Sequence, residues 1–445
     1  MRLEEIIPDK DDPFKDCKLG RKKQAEALKS LITSFDRGGV IALNNRWGAG
    51  KTTFIRMFDQ HIRNEGYTTI YFNAWENDFD DNPLSALIGE LSQHLTQNKH
   101  ADEVIEHGAK LFLDVSSAFV GHLIEKHIGS AASKTIFEAI NNSSAEIFKE
   151  ELKEYAAKKE SLNKFHQSLT EFVAENTKKS PLVFFVDELD RCNPDYAVRL
   201  LECVKHLFSV PNILFILSVD KTQLEHSVNG FYGSDKFDSN EYLRRFIDVE
   251  YSLPKPELEK YIEHLFVRLG FSEFISKKYG RDASALLHSC KLFYDKMTLR
   301  QIERAMTHLC LILKSEKINA NFFYLLQFLI YTKHDSRMFY YKIVNRQLSI
   351  SDLSDGIVAI YKSNFGLEGN ENLFGTIEAE MVYTYDKLLN PRGTNSEILD
   401  YKSNEILYTS TIDDSICKEM LKSLNSYDGR DYHLGPLLDH IELIV

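Results

Sequence analysis

The sequence predicts an α/β fold, a doubly wound sheet of parallel strands with helices on both faces, on three observations. Five short runs are almost wholly apolar, β-branched or aromatic, as strands buried on both faces must be. The stretches between them carry apolar residues at helical spacing. A glycine-rich turn followed by Lys-Thr stands after the first run, and that turn needs a strand behind it and a helix ahead.

In chain order the strand runs are GVIALN (39–44), TTIYFN (68–73), LVFFVD (182–187), NILFILSVD (212–220) and FIDVEYSL (246–253). After the first, Phe54, Met57, Phe58 and Ile62 mark an amphipathic helix. After the third, Asn193 suits an N-cap and Pro194 the first helical position. Ala197, Leu200, Leu201, Val204, Leu207 and Phe208 then form one apolar stripe. Residues 98–178, rich in Ala, Glu, Lys and Leu, predict an inserted helical subdomain between the second and third strands. Residues 1–255 thus form the core domain. Residues 256–345 read as a helical lid, with LRQIERAMTHLCLILKS as its clearest helix. Residues 346–445 read as an acidic α+β segment in which MVYTY and EILYTST resemble strands.

The net charge of −12 gives no electrostatic reason to expect nucleic acid as a partner. Charge is unevenly spread, with 17 acids against 7 bases over 351–445 and 16 bases against 9 acids over 255–350. Such segments are solvated surface or meet one another, within a chain or between subunits. The six scattered cysteines show no metal or disulfide spacing and fit a reducing cytoplasm. The start, MRLEEIIPDKDDPFKD, lacks an apolar signal segment. Residues 110–129 are interrupted by Asp114, His122, Glu125 and Lys126, short of the roughly 18 uncharged residues a membrane span needs.

The chemistry concentrates in NNRWGAGKTT (44–53). Gly48 and Gly50 let backbone amides curl around phosphate oxygens, and the helix starting near Lys51 points unpaired N–H groups at the anion. Lys51 would reach the β and γ phosphates, and the Thr52 hydroxyl would bind Mg2+. Ala49 and Thr53 complete the cradle. Asn45 stands where a first glycine is usual, and asparagine tolerates left-handed backbone. Asp187 and Glu188 end the third strand, where ligands bind in open α/β sheets. Asp187 would hold Mg2+ through water and Glu188 would take a proton from the attacking water. Ser218, ending the fourth strand, would orient the water or the γ-phosphate, or simply cap the strand. Arg244 and Arg245 precede the fifth strand; Arg300 and Arg304 share a helix face. One of each pair would supply positive charge to the γ-phosphate, in cis or across a subunit boundary, or pair with acids such as Glu241 and Glu303.

The succession NNRWGAGKTTFIRMF, YFNAWENDFDDNPLSALIGEL, VFFVDELDRCNPDYAVRLLECVKHLF, ILSVDKTQL, YLRRFI and TLRQIERAM resembles the KAP family of P-loop NTPases over residues 12–310. That resemblance implies a P-loop NTPase core with ATP and Mg2+ as cofactors. It puts Gly48, Gly50, Lys51, Thr52 and Thr53 on ATP, Asp187 and Glu188 on metal and water, and Arg245 at the basic position before the fifth strand. Leu19, Gly20 and Arg21 fall in the segment near the adenine. Asn45 departs from the usual glycine, and the transmembrane helices many relatives insert are missing between the two motifs, unless 110–129 is an amphipathic remnant. Bacterial members resemble parts of antiviral defence systems, which implies partner proteins of such a system, a homo-oligomer, or both. No nuclease or protease motif accompanies the loop. The expected activity is Mg2+-dependent ATP hydrolysis driving conformational change or assembly. A nucleotide-gated scaffold is the alternative, and a nucleic-acid motor is opposed by the charge.

Overall fold

The computed structural model describes residues 7–443 apart from 36–37, 80–81, 95–98, 116–144, 178–180, 207, 235, 281, 316–321, 366–368, 392–395, 401–402, 404 and 427–433. Its described residues divide into two compact units, 1–255 and 256–445.

The first unit is built on five parallel strands, β1 (Gly39–Asn44), β2 (Thr69–Asn73), β3 (Leu182–Asp187), β4 (Ile213–Val219) and β5 (Val249–Ser252), in the order β2-β3-β4-β1-β5. Alternate residues of each strand feed two cores. On one face Ile41, Leu43, Val183, Phe185, Leu214 and Ile216 pack on helices α1 (Lys22–Ile32) and α2 (Lys51–Asn64). On the other, Ala42, Phe72, Phe184, Val186, Phe215 and Leu217 pack on α3 (Pro83–His94), on the inserted pair α4 (Lys99–Val115) and α5 (Ala145–Asn176), and on α6 (Pro194–His206). Burial on both faces is why these runs carry so few polar residues. The fifth run behaves differently. Only four of its residues form β5, at the sheet edge, with Glu250 and Ser252 exposed, because an edge strand here is covered on one face alone. Helices α7 (Lys221–Tyr232) and α8 (Ser239–Leu243) lie between β4 and β5.

The sequence signals at α6 act as expected. The Asp195 amide donates to Asn193 Oδ1 at 3.2 Å, and Ala197, Leu200, Leu201, Val204 and Phe208 are buried; Leu207 lies outside the described residues. In the insertion, Val104 and Leu111 of α4 share a core with Phe165 and Leu169 of α5. Residues 116–129 of the membrane candidate lie outside the described residues. Among the described helices none is long and apolar enough to cross a membrane.

One acid in α6 is held against its chemistry. Burial pushes the Glu202 carboxyl up to about 7, with the Tyr242 hydroxyl and then the Arg199 guanidinium opposing. A carboxyl raised on folding costs stability wherever it must ionise, so the cost is absent below its ordinary 4.5 and complete above about pH 7. Glu202→Gln should therefore raise stability at pH 8 by about 1–2 kcal/mol after solvent screening, read as a higher thermal midpoint. The gap should close toward pH 4.5; a gap independent of pH would contradict this account.

The second unit is helical: α9 (Leu258–Arg268), α10 (Phe271–Tyr279), α11 (Ser284–Tyr294), α12 (Leu299–Ser315), α13 (Phe323–Asp335), α14 (Arg337–Val344), α15 (Ile350–Ile360), α16 (Glu371–Leu389), α17 (Asp414–Ser426) and α18 (Leu434–Leu443). The strand reading of MVYTY is overturned: residues 381–385 lie in α16 and all five are buried. A helix covered on every side reads as apolar all round, so its β-branched and aromatic residues mimic a strand. Thr384 satisfies its hydroxyl by donating to the Glu380 carbonyl one turn back, at 2.7 Å. Of EILYTST, only Glu405–Ile406 is strand, paired with Leu399–Asp400.

Candidate functional site

Sheet register determines which polar groups meet at the carboxyl ends of the strands. Asp187 of β3 aligns with Ser218 of β4, and Ser218 with Leu43 of β1. Asp187 and Ser218 thus point to the same face of the sheet as Phe185 and Ile216, the face on which α2 packs. The loop joining β1 to α2 turns over this spot. Gly48 and Gly50 have φ of 78° and 83°, left-handed angles at which a side chain would be strained. Phe54 N–H makes the first internal bond of α2, to the Gly50 carbonyl. The amides of Lys51, Thr52 and Thr53 therefore have no acceptor within the helix, and with its dipole they form an anion site. Ala49 and Thr53 line the same turn, partly exposed.

Lys51 is 8 % exposed and its Nζ donates to the Asn45 carbonyl at 2.6 Å and the Arg46 carbonyl at 3.4 Å. Burial pushes its ammonium below the usual range, while Asp190, Asp220 and Asp187 hold it charged. Asp187 is 1 % exposed, accepting from the Glu188 amide at 2.9 Å and from the Tyr71 hydroxyl at 3.0 Å. Burial, then Asp187, raises the Tyr71 phenol, which stays a donor. Two acceptor directions remain on Asp187. Ser218 is fully buried, and its Oγ has no hydrogen-bond partner. An orphaned hydroxyl, a carboxylate with free lone pairs and a buried ammonium at a ring of unpaired amides fit a nucleotide phosphate with its divalent cation.

Glu188 carries a left-handed backbone, φ 60° and ψ 23°, rare for a residue with a side chain. Burial raises its carboxyl, and the Arg191 charge opposes that. Arg191 Nη1 stands 2.6 Å from Glu188 Oε1, and the Asn73 side chain also bonds this carboxylate.

The loop departs from expectation at Asn45. Asn45 is not left-handed; among described residues that backbone occurs, glycine apart, at Glu188, Asn212 and Arg346. Instead its amide Nδ2 donates to the Leu253 carbonyl at 2.8 Å and its Oδ1 accepts from the Arg46 amide at 2.9 Å. Asparagine serves there as a bracket to the end of β5. Trp47 is 44 % exposed and used for its N–H groups. Its indole Nε1 donates to Asp190 Oδ2 at 2.6 Å and its backbone amide to Asp220 Oδ2 at 3.1 Å. Asp190 in turn accepts from the Asp220 amide at 2.7 Å. One tryptophan thus ties the loop to the ends of β3 and β4. Trp47→Phe keeps the ring and removes the donor from a buried acid, so nucleotide affinity should fall about ten-fold with unchanged helix content. Affinity within two-fold of native, by titration, would show that the tie does not shape the loop.

Arginine placement is mixed. The Asp248 amide donates to the Val40 carbonyl and Asp248 Oδ2 accepts from the Val40 amide, so the segment before β5 lies at the amino ends of the strands. Arg245, exposed there with Lys205 donating to its carbonyl, is at the opposite end of the sheet from the loop. The cis reading of Arg245 fails on that geometry. Arg244 pairs with Glu241 at 3.3 Å. Arg300 and Arg304 are exposed on α12 of the second unit. Arg21 is buried, donating through Nη1 to the Pro254 carbonyl at 2.6 Å. Sequence reasoning missed Asn73, Asp190, Arg191 and Asp220, although DELDR spells two of them one helical turn from the motif acids.

The family model described as the KAP family P-loop domain matches residues 21–315. Among solved structures the chain is similar to one titled "Structure of the Aeropyrum Pernix ORC2 protein (ADPNP-ADP complexes)", at 14 % identity over 96 % of this chain and 93 % of that one, with a TM-score of 0.33. Among curated proteins none matches.

Proposed function

From membership of the KAP family of P-loop NTPases, to which this chain belongs, we infer that it binds ATP with Mg2+ and hydrolyses it. The observation that carries the reading is the meeting of Lys51, Asp187, Ser218 and Glu188 at the carboxyl ends of three adjacent strands. Gly48, Ala49, Gly50, Lys51, Thr52 and Thr53 cradle the phosphates, and the Thr52 hydroxyl and Asp187 hold the cation. Bound there, Mg2+ offsets charge on the phosphate oxygens. Glu188 accepts the proton of the attacking water, and Ser218 Oγ orients that water or the γ-phosphate. Lys51 stabilises charge on the transferring group.

Arg245 stands at the opposite end of the sheet from the loop of its own chain, and in the homo-oligomer of this reading its guanidinium would act across a subunit boundary. Nucleotide state then drives conformational change or assembly in the cytoplasm, with partner proteins of a bacterial anti-phage system; the resemblance of bacterial relatives to such systems supports this role. Phosphate release by the purified chain with ATP or GTP, with and without Mg2+, tests the enzyme reading, and no release under any condition would end it. Phage challenge of a host expressing the intact chain tests the defence role, which lack of protection would contradict.

A second reading, a nucleotide-gated scaffold with incidental turnover, draws on Glu188 being gripped by Arg191. Light scattering with a non-hydrolysable analogue separates the two. Full assembly with the analogue alone favours the scaffold.

A further inference from the structure

We propose that Arg191 is a positioning residue that latches Glu188, and that its release is coupled to Trp75. The proposal rests on reading Glu188 as the base that activates water. Arg191 sits one 3-10 turn beyond Glu188, in the segment Leu189–Arg191, with Nη1 2.6 Å from Glu188 Oε1. Its guanidinium also lies over the Trp75 ring, 5.7 Å from the centroid. The Glu188 carboxylate is therefore engaged by a cation on one side and by Asn73 on another.

A base must present a free lone pair to water, and a guanidinium this close occupies one. The left-handed backbone at Glu188 aims its side chain in a direction that ordinary helical or extended angles would not. Charge pairing at i, i+3 then fixes that aim. Trp75 is 54 % exposed, and Phe79, four residues on, is 86 % exposed. The indole that braces Arg191 thus reaches solvent. A planar cation stacked on an open indole is held there by about 0.5–1 kcal/mol, weak enough to leave when nucleotide reorganises the site. Withdrawal of Arg191 frees Glu188 and uncovers Trp75 in one motion.

The chain contains two tryptophans, so a Trp75→Phe comparison isolates the signal of Trp75. Mg2+ with a non-hydrolysable ATP analogue should change the native emission, and the change should be reduced in Trp75→Phe and in Arg191→Ala. At saturating ATP, Arg191→Ala should raise kcat about five-fold with unchanged nucleotide Kd. Arg191→Lys keeps the charge but not the flat face, so kcat should rise about two-fold. That variant also carries the test should Arg191→Ala fail to fold. The double variant Glu188→Gln with Arg191→Ala should be as slow as Glu188→Gln alone, since the latch acts through Glu188. A folded Arg191 variant with lower or unchanged kcat would overturn the proposal, as would an emission change undiminished in Trp75→Phe. Native-rate hydrolysis by Glu188→Gln would instead remove the base reading itself, whatever the Arg191 variants show.

Discussion

Lys51→Ala should abolish detectable nucleotide binding. The ammonium is buried beneath the loop and is held charged by Asp190, Asp220 and Asp187, and it rests on the Asn45 and Arg46 carbonyls. Those contacts are what a phosphate would replace, so the ammonium turns from loop carbonyls to anionic oxygens without crossing water. A charge-assisted bond of this kind is worth about 1.5–3 kcal/mol, and two phosphate groups share it. Affinity should fall by about 100-fold or more. Folding should be spared, because alanine also removes the cost of burying a charge. A fluorescent nucleotide titration against a thermal melt separates these effects. Binding within two-fold of native, in a chain melting at its native temperature, would show that the loop does not hold phosphate.

Glu188→Gln should leave binding intact and stop turnover. Glutamine keeps the shape of the side chain and loses the proton acceptor, for which about 10²–10⁴-fold in rate is the ordinary cost. The variant should accumulate ATP where the native chain accumulates ADP. Single-turnover phosphate release reads this directly. Because Glu188 also carries the ion pair with Arg191 at 2.6 Å, the variant should show the Trp75 emission of an unlatched state before nucleotide is added. Turnover within about three-fold of native would assign the water to another group.

Much of this architecture was legible in the sequence because burial writes itself into composition. GVIALN and LVFFVD form strands over the bounds their apolar runs predict, since both faces of each are covered. FIDVEYSL is cut to Val249–Ser252 by its place at the edge, which composition does not encode. MVYTY failed for the converse reason: a helix packed on all sides loses the periodicity that betrays a helix. In the site, the glycines, Lys51 and Asp187 were readable because their chemistry is local to a motif. Asp220 and Asn73 were not, because their roles exist only after distant strands are laid side by side in register. The distance of Arg245 from the loop likewise follows from strand direction, a property of the assembled sheet.

The asparagine at the head of the loop has a mechanical consequence. Asn45 grips the Leu253 carbonyl and Arg21 grips the next one, Pro254, immediately ahead of the boundary at residues 255–256 where the chain enters the second unit. The phosphate loop and the last residues of its own unit thus share one tether, so a displacement of the loop at Asn45 pulls directly on the Leu253 carbonyl. A glycine at position 45 would keep the turn and cut that tether.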